Sequence, residues 1–252
     1  MKYSILLSTI GKRETLQKSI NNFQSFLTRK DIEFIIATTN PNFKLEGLGR
    51  VIHVKKPNIA YFLLRAAKTK RPVRKEVTDR MFFMWRQAAD IAKGEWMIFV
   101  SDDTLLSKNF FDRADQMVRN ETRVFQPSLL DPQGYVVCGE YFRSYTISAA
   151  RRNLVYEFNL TSDLHSLTAW LHNIRKACDP RNPNEYIFDS KSFCWHLGYP
   201  IEGGVPPVIA QWDAARWIAN QRLRFGNRRI DLKENFVTDT TFSTKEHNHH
   251  DV

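Results

Sequence analysis

At 252 residues, with 42% hydrophobic and 13% aromatic residues, the chain can bury a substantial core as one large domain or two small ones. No apolar segment approaches the roughly 20 residues that span a bilayer, and the start of the chain, apolar only over residues 5–7, lacks the long apolar region of a signal peptide. A net charge of +10 and a pI near 9.6 imply a polyanionic partner: nucleic acid, an anionic membrane surface or nucleotide phosphates.

In chain order, residues 3–8 predict a strand, closed by a turn at Gly11. Leu16, Ile20, Phe23 and Leu27 then recur at helical spacing and predict a helix over 13–27. Residues 33–38 predict a second buried strand ending in a polar Thr39-Asn40-Pro41 turn, and residues 51–54 a short third one. A long basic connection follows. It carries Arg65, Lys68, Lys70, Arg71, Arg74, Lys75 and Arg80 against Glu76 and Asp79, with Pro72 interrupting it. A helix over 77–92 leads into the apolar run 96–100, too short for a helix and read as a buried strand. Strands alternating with helices predict an α/β fold, a mostly parallel sheet with right-handed crossovers.

Beyond residue 120 the pattern changes. Short strands over 124–126 and 134–138 are mixed with loops, and a helix over 162–177 carries Leu164, Leu167, Leu171 and Ile174 on one side. Residues 179–184 read as an irregular loop. A further helix over 207–223 has Pro207 in its first turn. Neither a repeat nor a low-complexity linker separates the halves. Residues 1–120 therefore predict a nucleotide-binding half, and residues 121–252 an elaborated substrate-side half of the same domain. Cys138, Cys178 and Cys194 show neither paired nor metal-ligand spacing, which predicts free thiols in a reducing, cytoplasmic setting.

The most informative stretch runs from Lys93-Gly94-Glu95-Trp96 to Asp102-Asp103. In an open α/β sheet, ligands sit beyond the carboxyl ends of the strands. Adjacent carboxylates there suit a hard divalent cation, which takes oxygen ligands and bridges to substrate phosphates. The bland alternative is an acidic turn capping the next helix, whose pattern starts at Asn109.

Four stretches, taken in order, resemble the GT-A glycosyltransferases, closest to the family 2 type. Ser4-Ile5-Leu6-Leu7-Ser8-Thr9-Ile10-Gly11-Lys12-Arg13 is similar to that family's opening strand and turn, and residues 33–40 to its second strand. Residues 86–96 running into Asp102-Asp103 are similar to its helix, Ala-x-Gly-Glu strand and acidic metal motif. Gln211-Trp212-Asp213-Ala214-Ala215-Arg216 resembles the later segment that supplies the catalytic base. The chain departs from the pattern at Ser8, where the family carries Pro, and at Ile10-Gly11, where it carries Tyr-Asn. It departs again at Thr39-Asn40 in place of an acid, and in the long connection over 57–80.

The resemblance implies a GT-A, Rossmann-like sheet flanked by helices, with an acceptor-side C-terminal half. It implies transfer of a sugar from a nucleoside diphosphate-sugar donor to a glycan or glycolipid hydroxyl, assisted by Mn²⁺ or Mg²⁺ and with inversion. On this reading Asp103 is the first metal ligand, and Asp102 binds the metal through water or holds the ribose hydroxyls. Asp213 is the base, with Trp212 beside it as a sugar platform. Thr9, Ile10, Arg13 and Asn40 surround the nucleoside, and Arg86 adds positive charge at the diphosphate. A late histidine completes the metal shell in many GT-A enzymes, a part for His247 or His249; a mobile terminal cluster is the alternative. His53, His165, His172 and His196 have no partner recognisable from sequence. Asp213 would equally stabilise a helix dipole. The basic run would equally be a solvated surface, or attract anionic lipid in peripheral membrane association.

Two other classes compete. Nucleotidyl transfer on a related sheet calls for a glycine-rich, lysine-bearing loop after the first strand, where this chain offers only Gly11 and Lys12. A non-enzymatic basic protein would bind nucleic acid or a membrane surface. Nucleic acid calls for bases tracking a helix face among aromatics, whereas here the charge concentrates before a strand that ends in acids.

Overall fold

A computed structural model of the chain describes residues 1–11, 15–55, 76–138, 149–157, 184–197 and 226–237. The helices expected over 162–177 and 207–223, most of the loop over 179–184, and most of the basic connection lie outside the described residues. So do Arg13, Asp213 and His247.

The strands are β1 (Tyr3–Thr9), β2 (Ile32–Thr38), β3 (Arg50–His53), β4 (Trp96–Ser101), β5 (Thr104–Leu106), β6 (Val124–Leu130), β7 (Val136–Cys138), β8 (Ala149–Arg151) and β9 (Tyr186–His196). The helices are α1 (Leu16–Ser25), tightened by a 3-10 turn at Phe26–Thr28, α2 (Glu76–Ile91), α3 (Phe110–Met117), α4 (Arg152–Glu157) and α5 (Leu232–Asn235). These strands form a single sheet in the order β3-β2-β1-β4-β8-β6-β9-β5, with β7 on β6.

From β3 to β4 every pairing is parallel, as the alternating pattern predicts. Beyond β4 the sheet is mixed: β8 runs antiparallel to β4 and β6, and β9 runs parallel to β6. Only Asp102 and Asp103 separate β4 from β5, far too little for a crossover. β5 therefore leaves the parallel set and pairs antiparallel with β9.

The front strands read as unbroken apolar runs because both faces are covered. On one face Ile5, Leu7, Ile36, Ile98 and Val100 pack with Leu16, Ile20 and Phe23 of α1 and with Phe110 and Phe111 of α3. On the other, Leu6, Ile35, Met97 and Phe99 pack with Met84, Trp85, Ala88 and Ala89 of α2 and with Leu154 and Val155 of α4. Each such fully buried large side chain contributes roughly 1.5–3 kcal/mol. A third cluster, Leu105, Leu130, Val136, Phe193 and Phe236, closes the β5–β9 end.

The strand expected over 124–126 runs on to Leu130, through Pro127. Proline has no N–H to give, and the ladder to β9 shifts register there, with Asp189 opposite Pro127 and Phe193 opposite Ser128. Ser190, Lys191 and Ser192 thus bulge from β9, and this polar centre hides the strand from a sequence reading. Arg113 of α3 fastens the bulge, donating from Nε to Asp189 Oδ2 at 3.0 Å and from Nη2 to Oδ1 at 2.9 Å. Burial alone would raise the pKa of Asp189. The hydrogen bonds from Arg113, the Lys191 N–H and Ser192 outweigh it and hold the carboxyl below its ordinary range. No described helix is long and apolar enough to cross a membrane.

Candidate active site

The strand order dictates where a ligand can sit. The chain builds outward from β1 to β2 to β3, then returns to lay β4 on the other side of β1. Open α/β sheets bind ligands at such a reversal, outside the carboxyl ends of the strands. Here the reversal lies between β1 and β4. Their ladder pairs Leu7 with Val100 and Ser8 with Ser101, so Thr9 and Asp102 emerge side by side.

Those two residues are joined. Thr9 Oγ1 donates to Asp102 Oδ2 at 2.7 Å, and the Gly11 N–H donates to Thr9 Oγ1 at 2.9 Å. Gly11 has φ +75°, and a Cβ there would lie 3.0 Å from Asn40 Nδ2, so conformation and space both call for glycine. β2 ends in the same turn: Thr38 stands opposite Thr9 in the ladder and accepts from the Asn40 N–H at 3.1 Å. At the end of β3, His53 Nδ1 lies 3.1 Å from the Asn40 carbonyl. The three loops thus form one rim. Thr9 is buried with its hydroxyl committed to Asp102, so it meets a ligand through that carboxylate. Ile10, 40% exposed, and the partly exposed Asn40 offer direct surface.

Asp102 and Asp103 are 6% and 3% exposed. Ser101 Oγ donates to Asp103 Oδ1 at 2.5 Å and lies 2.8 Å from Thr104 Oγ1. The backbone of the pair is held as well: Thr15 Oγ1 donates to the Asp102 carbonyl at 2.8 Å, and the Leu197 N–H donates to the Asp103 carbonyl at 2.7 Å. Thr15 occupies the N-cap of α1 yet makes no side-chain capping bond, because its hydroxyl turns to the acidic turn instead. Nor do the two acids cap α3, which begins after β5 with Asn109 at its N-cap. The pair therefore does not cap that helix.

His196 joins the site unannounced by the sequence. It stands opposite Thr104 in the β5–β9 ladder, and its Nε2 lies 3.6 Å from Asp103 Oδ1, an ion-pair distance when the imidazole is protonated. Only the register of β9 reveals this. Arg86 is partly buried on α2, next to Trp85, whose indole N–H donates to the Val100 carbonyl at 3.0 Å and so fixes α2 to the end of β4.

No group of three or more His, Cys, Asp or Glu side chains among the described residues forms a metal cage. Mg²⁺-type sites need only one or two carboxylates when phosphate oxygens and water complete the shell. The hard oxygen donors of Asp102 and Asp103, each braced by a hydroxyl, fit that requirement.

No family model matches the chain, and no curated protein matches it. Solved structures do. Residues 1–349 of TarS from S. aureus superpose with a TM-score of 0.55 at 14% identity, over 93% of this chain and 67% of that one. The same TarS fragment in complex with UDP gives 0.52 at 14% identity, and in complex with UDP-GlcNAc 0.51 at 15%, each over 93% of this chain and 68% of that one. The chain has a GT-A type glycosyltransferase fold.

Proposed function

We propose that this protein transfers a sugar from a nucleoside diphosphate-sugar donor to a hydroxyl of a glycan or glycolipid acceptor, with inversion. The observation that carries this reading is the pair of braced carboxylates at the β1–β4 reversal, tied to β1 through Thr9. That TarS has been solved with UDP and with UDP-GlcNAc supports a donor of this class.

Asp103, with Asp102, would hold Mn²⁺ or Mg²⁺ against the donor. Bound there, the cation supplies positive charge to the departing diphosphate. Ile10 and Asn40 contact the nucleoside from the rim, and Arg86 and Arg13 add charge toward the phosphates. In the transfer, the acceptor oxygen bonds to the anomeric carbon as the bond to the diphosphate oxygen breaks. Asp213 takes the acceptor's proton. His247 is the candidate to complete the cation's shell. The reading places the protein in the cytoplasm, with its basic connection attracted to anionic membrane surfaces that present the acceptor.

A thermal-shift panel of UDP-, GDP-, dTDP- and CMP-sugars, with and without Mn²⁺, tests it, because a ligand that binds the native state raises Tm by mass action. The expected result is a metal-dependent shift with one donor that disappears in Asp103→Asn. No shift with any donor would overturn the reading.

A further inference from the structure

We propose that Thr9 and Ser101 are positioning residues of the donor site, acting through Asp102 and Asp103 to fix how each carboxylate is presented. The inference rests on the donor-site reading above and adds to it a pair of matched hydroxyl relays.

Each relay has the same construction. In the first, the Gly11 N–H donates to Thr9 Oγ1 at 2.9 Å, and the Thr9 hydroxyl donates to Asp102 Oδ2 at 2.7 Å. In the second, the Ser101 hydroxyl donates to Asp103 Oδ1 at 2.5 Å. Ser101 has one hydroxyl proton, so the 2.8 Å contact with Thr104 Oγ1 must be a bond donated by Thr104. Both bracing hydroxyls are therefore committed as donor and as acceptor, which fixes their rotors. Thr9, Ser101 and Thr104 are all buried. In such low-dielectric surroundings, successive hydrogen bonds polarise one another and an alternative arrangement is costly.

The two relays come from different elements. One runs from the turn after β1 through Thr9, the last residue of that strand; the other runs from Thr104, the first residue of β5, through Ser101, the last of β4. Together they tie Oδ2 of Asp102 and Oδ1 of Asp103 to the protein. Each carboxylate then enters the site with one oxygen already held by a hydroxyl, so its orientation is set before any cation would bind. Groups that orient a metal's ligands in this way commonly change affinity by roughly 10–100-fold when removed.

The test uses Thr9→Val and Ser101→Ala, with Thr9→Ser and Ser101→Thr as conservative partners. Mn²⁺ affinity is read from the free-Mn²⁺ EPR signal in the presence of UDP, GDP or dTDP, well below every variant's melting temperature. A buried hydroxyl's removal lowers Tm whatever its role. A merely structural role leaves Mn²⁺ affinity intact in the folded protein. The expected result is Mn²⁺ binding weakened about tenfold or more in Thr9→Val and in Ser101→Ala, and restored in the conservative partners. The two positions are read independently, so failure of one variant to fold leaves the other decisive. Unchanged Mn²⁺ affinity in the folded variants, or a loss that the conservative partners do not restore, overturns the inference. Absence of nucleotide-dependent Mn²⁺ binding in the unmodified protein overturns the donor-site reading itself, a distinct outcome.

Discussion

Asn22 and Leu106 bind each other twice: Asn22 Nδ2 donates to the Leu106 carbonyl at 3.0 Å, and the Leu106 N–H donates back to Asn22 Oδ1 at 2.8 Å. Asn22 is fully buried on α1, and Leu106 is the last residue of β5, the terminal strand of the order. The amide side chain thus satisfies the backbone as a neighbouring strand would. It also anchors the segment that follows Asp102 and Asp103.

Asn22→Ala should leave both Leu106 backbone groups buried and unsatisfied, a loss of roughly 2–3 kcal/mol. Urea denaturation measures this directly. A midpoint equal to that of the unmodified protein would show that the clamp contributes nothing.

Gly94→Ala should be among the most damaging small substitutions. A Cβ at this position would lie 2.4 Å from Ser4 Oγ, 2.6 Å from Ser4 N and 2.7 Å from the Tyr3 carbonyl carbon. Two of these atoms are backbone of the central strand β1 and cannot move aside. The Gly94 N–H also donates to Ser4 Oγ at 2.8 Å, and Glu33 Oε1 accepts from the Lys93 N–H at 2.5 Å. Overpacking of this kind costs about 3 kcal/mol. Thermal unfolding of Gly94→Ala should show a lower Tm; retention of the parent value would contradict the close approach of β1 and the β4 entry turn.

Asp189→Asn should destabilise the protein by on the order of 3 kcal/mol at neutral pH, since it strips the Arg113 fork of its charged partner in a largely buried setting. The pH dependence has a definite sign. The folded-state pKa of Asp189 is depressed. Its contribution is therefore fully present above the ordinary carboxylate value of about 4 and is lost as pH falls through the lower folded value. Denaturation midpoints of the two proteins should converge in acid. A gap that stays constant down to strongly acidic pH would rule out the ionised pair as its source.

Trp85→Phe keeps an aromatic ring against Phe99, whose centroid lies 5.7 Å away, but removes the hydrogen bond to the Val100 carbonyl. The expected loss is about 1–2 kcal/mol. Hydrogen exchange at the end of β4 should accelerate in this variant, and unaltered protection there would detach α2 from the acidic turn.

The front of the fold is legible in the sequence because local and global signals agree there. β1, β2 and β4 are apolar runs bounded by polar turns, and α1 shows its buried stripe through Leu16, Ile20 and Phe23. The placement of Asp102 and Asp103 beyond β4 follows from that pattern alone. The rest of the site is non-local. His196 reaches Asp103 only through the β5–β9 ladder, and β9 carries a polar bulge that mimics a loop. β5 and β8 are three residues each, too short to show any period. Pro127 suggests a strand end and instead marks a register shift. Ser101 looks like an ordinary strand residue until its hydroxyl is seen on Asp103.

Anomalous diffraction at the manganese edge, from crystals grown with Mn²⁺ and a nucleoside diphosphate, probes the proposed donor site most directly. The expected map holds one strong peak bonded to a carboxylate oxygen of Asp103, beside Asp102 and in contact with the diphosphate. A nucleotide bound with no manganese at that position, or manganese bound away from the β1–β4 reversal, would contradict the proposal.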